Sequence, residues 1–283
     1  MKRILLVVHP TRPAAEKFGN ILSEKFLAEK FEVFSNQPQL ISGTKPLAQI
    51  ESLDLVIVLG GDGTILRAAE IVRGYEIPII GINLGNVGFL AEIAQPTADE
   101  IVSAIRSGGF HLEPRLVLKY EVIRNDKSIY QGWALNEVTV ERSSTQMLEL
   151  FLQIDGRPLS KWGCDGVICA TPTGSTAYAF SAGGPVVWPE VSALVLLPLA
   201  AHALFSRPMV VSPDCEIVID VLSNEAQISA DGLRQIELFV GDRIILTKDQ
   251  DKIQLAYINE GNFTDRLVAK FKLPIEGWRG ESS

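Results

Sequence analysis

Cysteine, histidine and positive charge are all scarce in this chain. Its 283 residues include three cysteines and three histidines, and 34 acidic side chains against 26 basic ones leave a formal net charge of -8. That balance argues against a nucleic-acid groove, which needs clustered Lys and Arg to displace phosphate counterions, so an anionic ligand has to be held locally. Cys164, Cys169 and Cys215 are odd in number and lack zinc-ligand spacing; they read as reduced core or near-core thiols of a cytoplasmic protein. His9, His111 and His202 lie far apart without ligand spacing and read as structural or surface residues, and no metal cage of the protein's own is expected. Long apolar runs are missing as well. The stretch Val191 to Phe205 holds Pro198 and His202 and falls short of a bilayer span, and the opening MKRILLVVHP ends at Pro10 without a cleavage-site pattern, so it reads as a first strand rather than a signal. No internal repeat or low-complexity linker is present. What remains, with 47% hydrophobic and 21% charged residues, is an ordinary globular protein of one large or two ordinary domains, with neither nucleic acid nor membrane as a partner.

The first third alternates between the two regular periods. Ile4 to Val8, Phe31 to Phe34, Leu55 to Leu59 and Pro78 to Ile82 read as buried strands; Pro13 to Glu29, Thr64 to Val72 and Thr97 to Ser107 read as helices. This spacing predicts a parallel sheet with right-handed crossovers, whose ligands bind at the carboxyl ends of the strands. After Gly108-Gly109 and Pro114 strands dominate: Leu116 to Arg124, Ile129 to Val140, Met147 to Ile154, Gly166 to Ala170, Cys215 to Leu222, Glu225 to Ala230, Arg234 to Phe239, Arg243 to Leu246 and Lys252 to Tyr257. Turn signals such as Asn125-Asp126 and Asp155-Gly156 separate them. The expected fold class is α/β plus all-β, a Rossmann-like parallel sheet with helices at 1–110 and a β-sandwich-like domain at 111–258. The helical pattern Asn262 to Phe271 places 259–283 back on the first domain.

Chemistry concentrates first in LVIVLGGDGTIL, residues 55 to 66. A buried strand ends at Gly60, Gly61 and Gly63, where a turn free to take positive φ lets N–H groups and a helix N-terminus face a phosphate. Asp62 would repel that anion as a plain ligand and makes better sense aimed at a hydroxyl or a metal beside it; the alternative is a helix cap. Neither the P-loop spacing nor the dinucleotide fingerprint fits the segment. A second Gly-rich turn, Gly81 to Leu90, should lie beside it.

The second concentration is DGVICATPTGSTAYAFSAGGP, residues 165 to 185. Thr171, Thr173, Ser175 and Thr176 either cap the following helix or, with exposed N–H groups, hold a diphosphate or the edges of a base. Tyr178 adds a ring and a hydroxyl. Upstream, Asn136-Glu137 interrupts the apolar ALNEVTV. In a strand the two point to opposite faces, so one tends to be buried unless they lie at a strand end or in a cleft, and a buried Glu needs a partner.

These segments together resemble the NAD kinase family, marked by a GGDGT loop, an Asn-Glu pair and the Asp-Gly…Thr-Pro-Thr-Gly-Ser-Thr-Ala-Tyr stretch in that order. NLGNVGFL at 83 to 90, SAGGP at 181 to 185, SRPMVV at 206 to 211 and SADG at 229 to 232 extend the likeness over nearly the whole chain. The resemblance implies phosphoryl transfer from ATP or another phosphate donor, with a divalent metal ion such as Mg2+, to the 2′-hydroxyl of the adenosine ribose of NAD. Asp62 would be the catalytic base, with Gly61, Gly63 and Arg67 at the donor phosphates. Asn136 and Glu137 would hold adenosine or ribose groups and Asp165 would reach the nicotinamide end. Thr173, Ser175, Thr176, Ala177, Tyr178 and Ser181 would line the NAD pocket, between the two domains, in a cytoplasmic homodimer or homotetramer. Gly163, Met147 and Leu233 stand where family members often carry two basic residues and a Gln. A noncatalytic NAD(P) sensor and a lipid or sugar kinase sharing the GGDGT loop are the competing readings.

Overall fold

The computed structural model describes residues 2–85, 88–259 and 261–275. Asn86 and Val87 of the second Gly-rich turn, and 276–283 of the C-terminal segment, lie outside the described residues. The chain divides into two units, residues 1–114 with 253–283, and residues 115–252.

The first unit is built on a seven-stranded sheet. Along the sheet the strands run Lys45–Pro46, Glu32–Ser35, Arg3–Val8, Leu55–Gly60, Ile79–Asn83, Ile253–Tyr257 and His111–Arg115, with parallel pairing from Lys45–Pro46 through Ile253–Tyr257. Leu55–Gly60 is buried at every position, as a strand covered on both faces requires. Strand order reverses between Arg3–Val8 and Leu55–Gly60, so the carboxyl ends of these two strands form the switch point where such sheets leave a crevice. Helix Pro13–Ala28 starts on Pro13 and buries Ala15, Gly19, Leu22 and Phe26 at helical spacing. Helix Ala98–Ser107 opens on a Thr97–Glu100 capping box and closes on Gly108 in the left-handed region.

Ile253–Tyr257, grouped in the sequence with the later strands, belongs instead to this parallel sheet, beside Ile79–Asn83. Its alternating apolar residues fit either kind of sheet; the buried Glu92 carboxylate, which accepts the N–H of Ile258 at 2.5 Å, fastens the end of the strand here. Helix Phe263–Phe271 follows, and its buried Arg266 stacks on Tyr257 at 4.2 Å and donates to the Ala91 carbonyl.

The second unit is a sandwich of two six-stranded antiparallel sheets. One runs Arg157–Cys164, Leu148–Ile154, Ile217–Ser223, Arg243–Lys248, Leu118–Arg124, Lys127–Ala134; the other runs Met209–Val211, Leu194–Leu199, Gly166–Ala170, Glu137–Arg142, Ala226–Ala230, Arg234–Leu238. The shared core takes Tyr120, Leu150, Trp162 and Ile219 from the first and Val138, Val140, Cys169 and Ile228 from the second. Asn125, Asp126, Asp155 and Gly156 all have positive φ, as their hairpin turns demand.

The run expected as one strand, Ile129 to Val140, is two, Lys127–Ala134 in the first sheet and Glu137–Arg142 in the second. Between them the chain changes sheets at Leu135-Asn136. Because Val138 and Val140 face the core, Glu137, Thr139 and Glu141 stand on the outer face of the second sheet. Across that face Ile168, Ala170, Val195 and Leu197 are covered by Ala179 and Val187.

Candidate active site

In the first unit the strand Leu55–Gly60 runs into helix Asp62–Val72, with Gly61 as N-cap and Asp62 as first helical residue. The glycines do not use positive φ: Gly61 has φ -105°, and neither Gly60 nor Gly63 is among the residues in the left-handed region. Gly61 and Gly63 contribute a bare surface, since a β-carbon on either would meet nothing within 4 Å, whereas one on Gly60 would overlap the Thr64 side chain. Asp62 is not a helix cap. Its half-buried carboxylate reaches across to the second Gly-rich turn, Oδ2 accepting the N–H of Phe89 at 2.8 Å and Oδ1 that of Leu90 at 3.2 Å. A carboxylate has about four acceptor positions, so among the described residues both oxygens keep a free lone pair while their direction is fixed.

Arg67 is exposed one turn along this helix. With Arg12 it acts on the half-buried His9, whose pKa is lowered by burial and by the two guanidinium charges. His9 follows Arg3–Val8 at the switch point, its N–H donating to the Leu59 carbonyl at 3.0 Å. The loop therefore has positive charge at hand, and the sequence reading of Arg67 missed its neighbour Arg12.

In the second unit a cavity of about 500 Å³ opens on the outer face of the second sheet. It brings together Glu137 and Tyr178 of the expected residues, with Thr139, Glu141, Arg142 and Asp231 among those not anticipated. Glu141 accepts from the Tyr178 hydroxyl at 2.9 Å and from the Thr139 hydroxyl at 2.9 Å. Burial, then Glu141, raises the Tyr178 phenol to about 12. Arg142 pairs with Asp165 at 2.7 Å. The polar alternation Glu137, Thr139, Glu141 and its register partners Ser229 and Gln227 was the signal in the sequence for this wall, a polar stripe where a covered sheet would be apolar.

Glu137 is 7% exposed, and its Oε2 meets no hydrogen-bond partner among the described residues. Burial, reinforced by the neighbouring Asp231, raises its carboxyl to about 8. Burial also raises Asp231, but the N–H groups of Leu135, Asn136 and Glu137 and the Arg234 guanidinium pull it down. Burial raises both carboxyls, and Asp231 is the one of the two whose charge is met by N–H and guanidinium donors.

The Thr/Ser stretch forms a turn of 3₁₀ helix, Thr173–Thr176, and one α-turn, Tyr178–Ser181. Gly174 lies against the Asn136 carbonyl so closely that a β-carbon would overlap it, and that carbonyl accepts the Thr171 N–H at 2.8 Å. Thr176 and Ala177 are half-buried and Ser181 is exposed, whereas Thr173 is buried. Ser175 departs from the expectation of a ligand group. It is fully buried, donating to the Pro172 carbonyl at 2.7 Å and accepting the Val187 N–H at 2.9 Å, so its hydroxyl ties the turn to the following segment. Met147 packs over Gly163, and both it and Leu233 are exposed.

A glycine turn presenting a carboxylate at a switch point, and a polar cavity on a sandwich face, define a two-unit nucleotide-handling protein. Models of the ATP-NAD kinase N-terminal and C-terminal domains match residues 13–110 and 135–257. The NAD kinase of Thermobifida fusca is 42% identical, with 100% of this chain and 93% of that protein covered; that of Rhodococcus opacus is 47% identical, with 99% and 95% covered. The crystal structure of an NAD kinase from Archaeoglobus fulgidus in complex with ATP superposes with a TM-score of 0.71 at 28% identity, covering 96% of this chain and 99% of that one. Yeast NADH kinase complexed with NADH shares the fold, with a TM-score of 0.87 at 24% identity over 99% and 90% of the two chains. The chain belongs to the NAD kinase family.

Proposed function

We propose that this chain is an ATP-dependent NAD kinase that moves the γ-phosphate of ATP to the 2′-hydroxyl of the adenosine ribose of NAD, giving NADP and ADP. The observation that carries this reading is Asp62, a carboxylate held by the Phe89 and Leu90 N–H groups at the glycine-lined start of a helix. Mere binding of a phosphate gains nothing from a carboxylate there, which counts against a noncatalytic sensor. Asp62 orients the hydroxyl and takes its proton as the oxygen attacks phosphorus and ADP leaves. Gly61 and Gly63 let the phosphates approach the backbone, and Arg67 adds charge. Asn136 and Glu137 hold adenosine or ribose groups, Asp165 reaches the nicotinamide end, and Thr173, Thr176, Ala177, Tyr178 and Ser181 line the NAD pocket.

A divalent ion such as Mg2+ would come with the triphosphate and would supply charge neutralisation there; the Asp62 carboxylate is oxygen-donor chemistry of the kind such an ion takes, so it would be the residue to face it. The three cysteines are free and buried, which supports the cytoplasm as the compartment. Among the described residues no helix is long and apolar enough to cross a membrane. Family membership supports a homodimer or homotetramer in which the β unit contacts its neighbour.

The test is incubation of purified protein with NAD, ATP and Mg2+, followed by assay of NADP with an NADP-specific dehydrogenase. NADP formation is the expected result. Binding of NAD without turnover sinks the kinase in favour of a sensor, and phosphorylation of a lipid or sugar in place of NAD sinks the substrate assignment.

A further inference from the structure

Asp231 ends the strand Ala226–Ala230 in the left-handed region, φ 54°, with its side chain 1% exposed. Its carboxylate collects four donors. Oδ2 accepts from the N–H of Leu135 at 2.9 Å and from Arg234 Nη2 at 2.8 Å; Oδ1 accepts from the N–H of Asn136 at 2.7 Å and of Glu137 at 3.3 Å. The Asp231 N–H in turn donates to the Glu137 carbonyl at 3.0 Å. Arg234 stacks on Trp133 at 4.3 Å, so the brace is anchored to the strand that ends just before these peptides.

The need for such a brace follows from the topology. Residues 135 and 136 carry the chain from one sheet to the other, and the buried N–H groups made available by that crossing require acceptors. A single carboxylate facing three consecutive N–H groups satisfies them and fixes the peptide planes of 135–137. The other side is fixed by Thr171, whose N–H donates to the Asn136 carbonyl. The Asn136 and Glu137 side chains leave a backbone held from both directions.

We propose that Asp231 is a positioning residue for NAD binding: it fixes the peptides of Asn136 and Glu137 so that their side chains meet the polar groups of the adenosine half of NAD. This rests on the assignment of the second-unit cavity to NAD.

Asp231→Asn tests it, because the amide keeps the shape but turns an N–H₂ toward two of the four donors. The dissociation constant and KM for NAD should rise at least tenfold, KM for ATP should stay within twofold, and kcat per folded molecule within threefold. Combined with Glu137→Gln, the effect on NAD should be less than the product of the two single effects. Arg234→Gln, which keeps the carboxylate and loosens one oxygen, should give a smaller NAD-selective rise and decides the matter if D231N does not fold. A lowered melting temperature with NAD affinity within twofold of wild type, or equal rises for NAD and ATP, overturns the proposal. Wild-type protein that neither binds NAD in calorimetry nor forms NADP instead overturns the site assignment beneath it.

Discussion

The Asp62 carboxylate occupies the space where Gly88 would carry a β-carbon. The two hydrogen bonds that aim Asp62, donated by the Phe89 and Leu90 N–H groups, therefore depend on a bare α-carbon immediately before them. Gly88→Ala should push the carboxylate aside without disturbing the sheet behind it. The expected outcome is a fall in kcat of roughly tenfold or more, since small misplacement of a catalytic group is costly. NAD affinity and thermal stability should stay close to wild type. Steady-state kinetics with a parallel melting curve check this.

Replacing the acid itself is the sharper version. Asp62→Asn keeps the shape and removes the base, so kcat should drop about 10²–10⁴-fold, roughly 3–5 kcal/mol of barrier. Calorimetric binding of NAD should remain largely intact. Near-normal turnover in this variant would remove Asp62 from the chemistry.

Glu137 supplies a pH signature. Its carboxyl is raised from 4.5 to about 8 in the folded chain, chiefly by burial. Between those values the folded state holds a proton that the unfolded chain has released, so stability falls as pH rises through the window and levels off above it. Asp231, also raised, works in the same direction, while Asp242, held down by Arg124, loses its contribution at low pH. Glu137→Gln carries no charge to bury. Its stability relative to wild type should improve between pH 5 and pH 8.5 by roughly 3–5 kcal/mol. Denaturant melts of both proteins across that range measure it, and a constant difference would mean that Glu137 is ionised in the fold.

Much of this architecture was legible in the chain because local and long-range preferences agree. Leu55 to Leu59 reads as a doubly covered strand and is buried at every position; Asn125-Asp126 and Asp155-Gly156 read as turns and adopt the positive φ that the hairpins there need. Legibility ended where pairing partners decide. Arg157–Cys164 is an edge strand, polar over its first half and holding Pro158, so no alternation announces it. Leu194–Leu199 is buried at all but its last residue, although Pro198 lacks the N–H that a strand ladder uses. GGDG in the first unit and the Tyr178 segment in the second stand out by residue type alone. Asp231 does not, because its importance lies in meeting peptides almost a hundred positions earlier, at |i−j| of 94 to 96, a relation that only the antiparallel pairing of Ala226–Ala230 with Glu137–Arg142 creates.

Ser175 and Thr176 are neighbours whose hydroxyls are committed to different degrees. The Ser175 hydroxyl is buried and committed at both ends, donating to the Pro172 carbonyl and accepting from the Val187 N–H. Ser175→Ala leaves the Val187 N–H and the Pro172 carbonyl without that partner in a dry environment. An unsatisfied buried group costs about 1–3 kcal/mol, so the melting temperature should fall by several degrees. The β-carbon stays in place and only the oxygen is lost, and the neighbouring Thr176 keeps its bond to the Thr173 carbonyl, so KM for NAD should change less than twofold. Thr176→Ala reverses the pattern. Its half-exposed hydroxyl donates to the Thr173 carbonyl at a long 3.3 Å, and its removal should leave the melting temperature nearly unmoved while raising KM for NAD several-fold. If S175A weakens NAD binding as much as T176A does, the turn is a single unit whose geometry, not its exposed hydroxyl, selects the nucleotide.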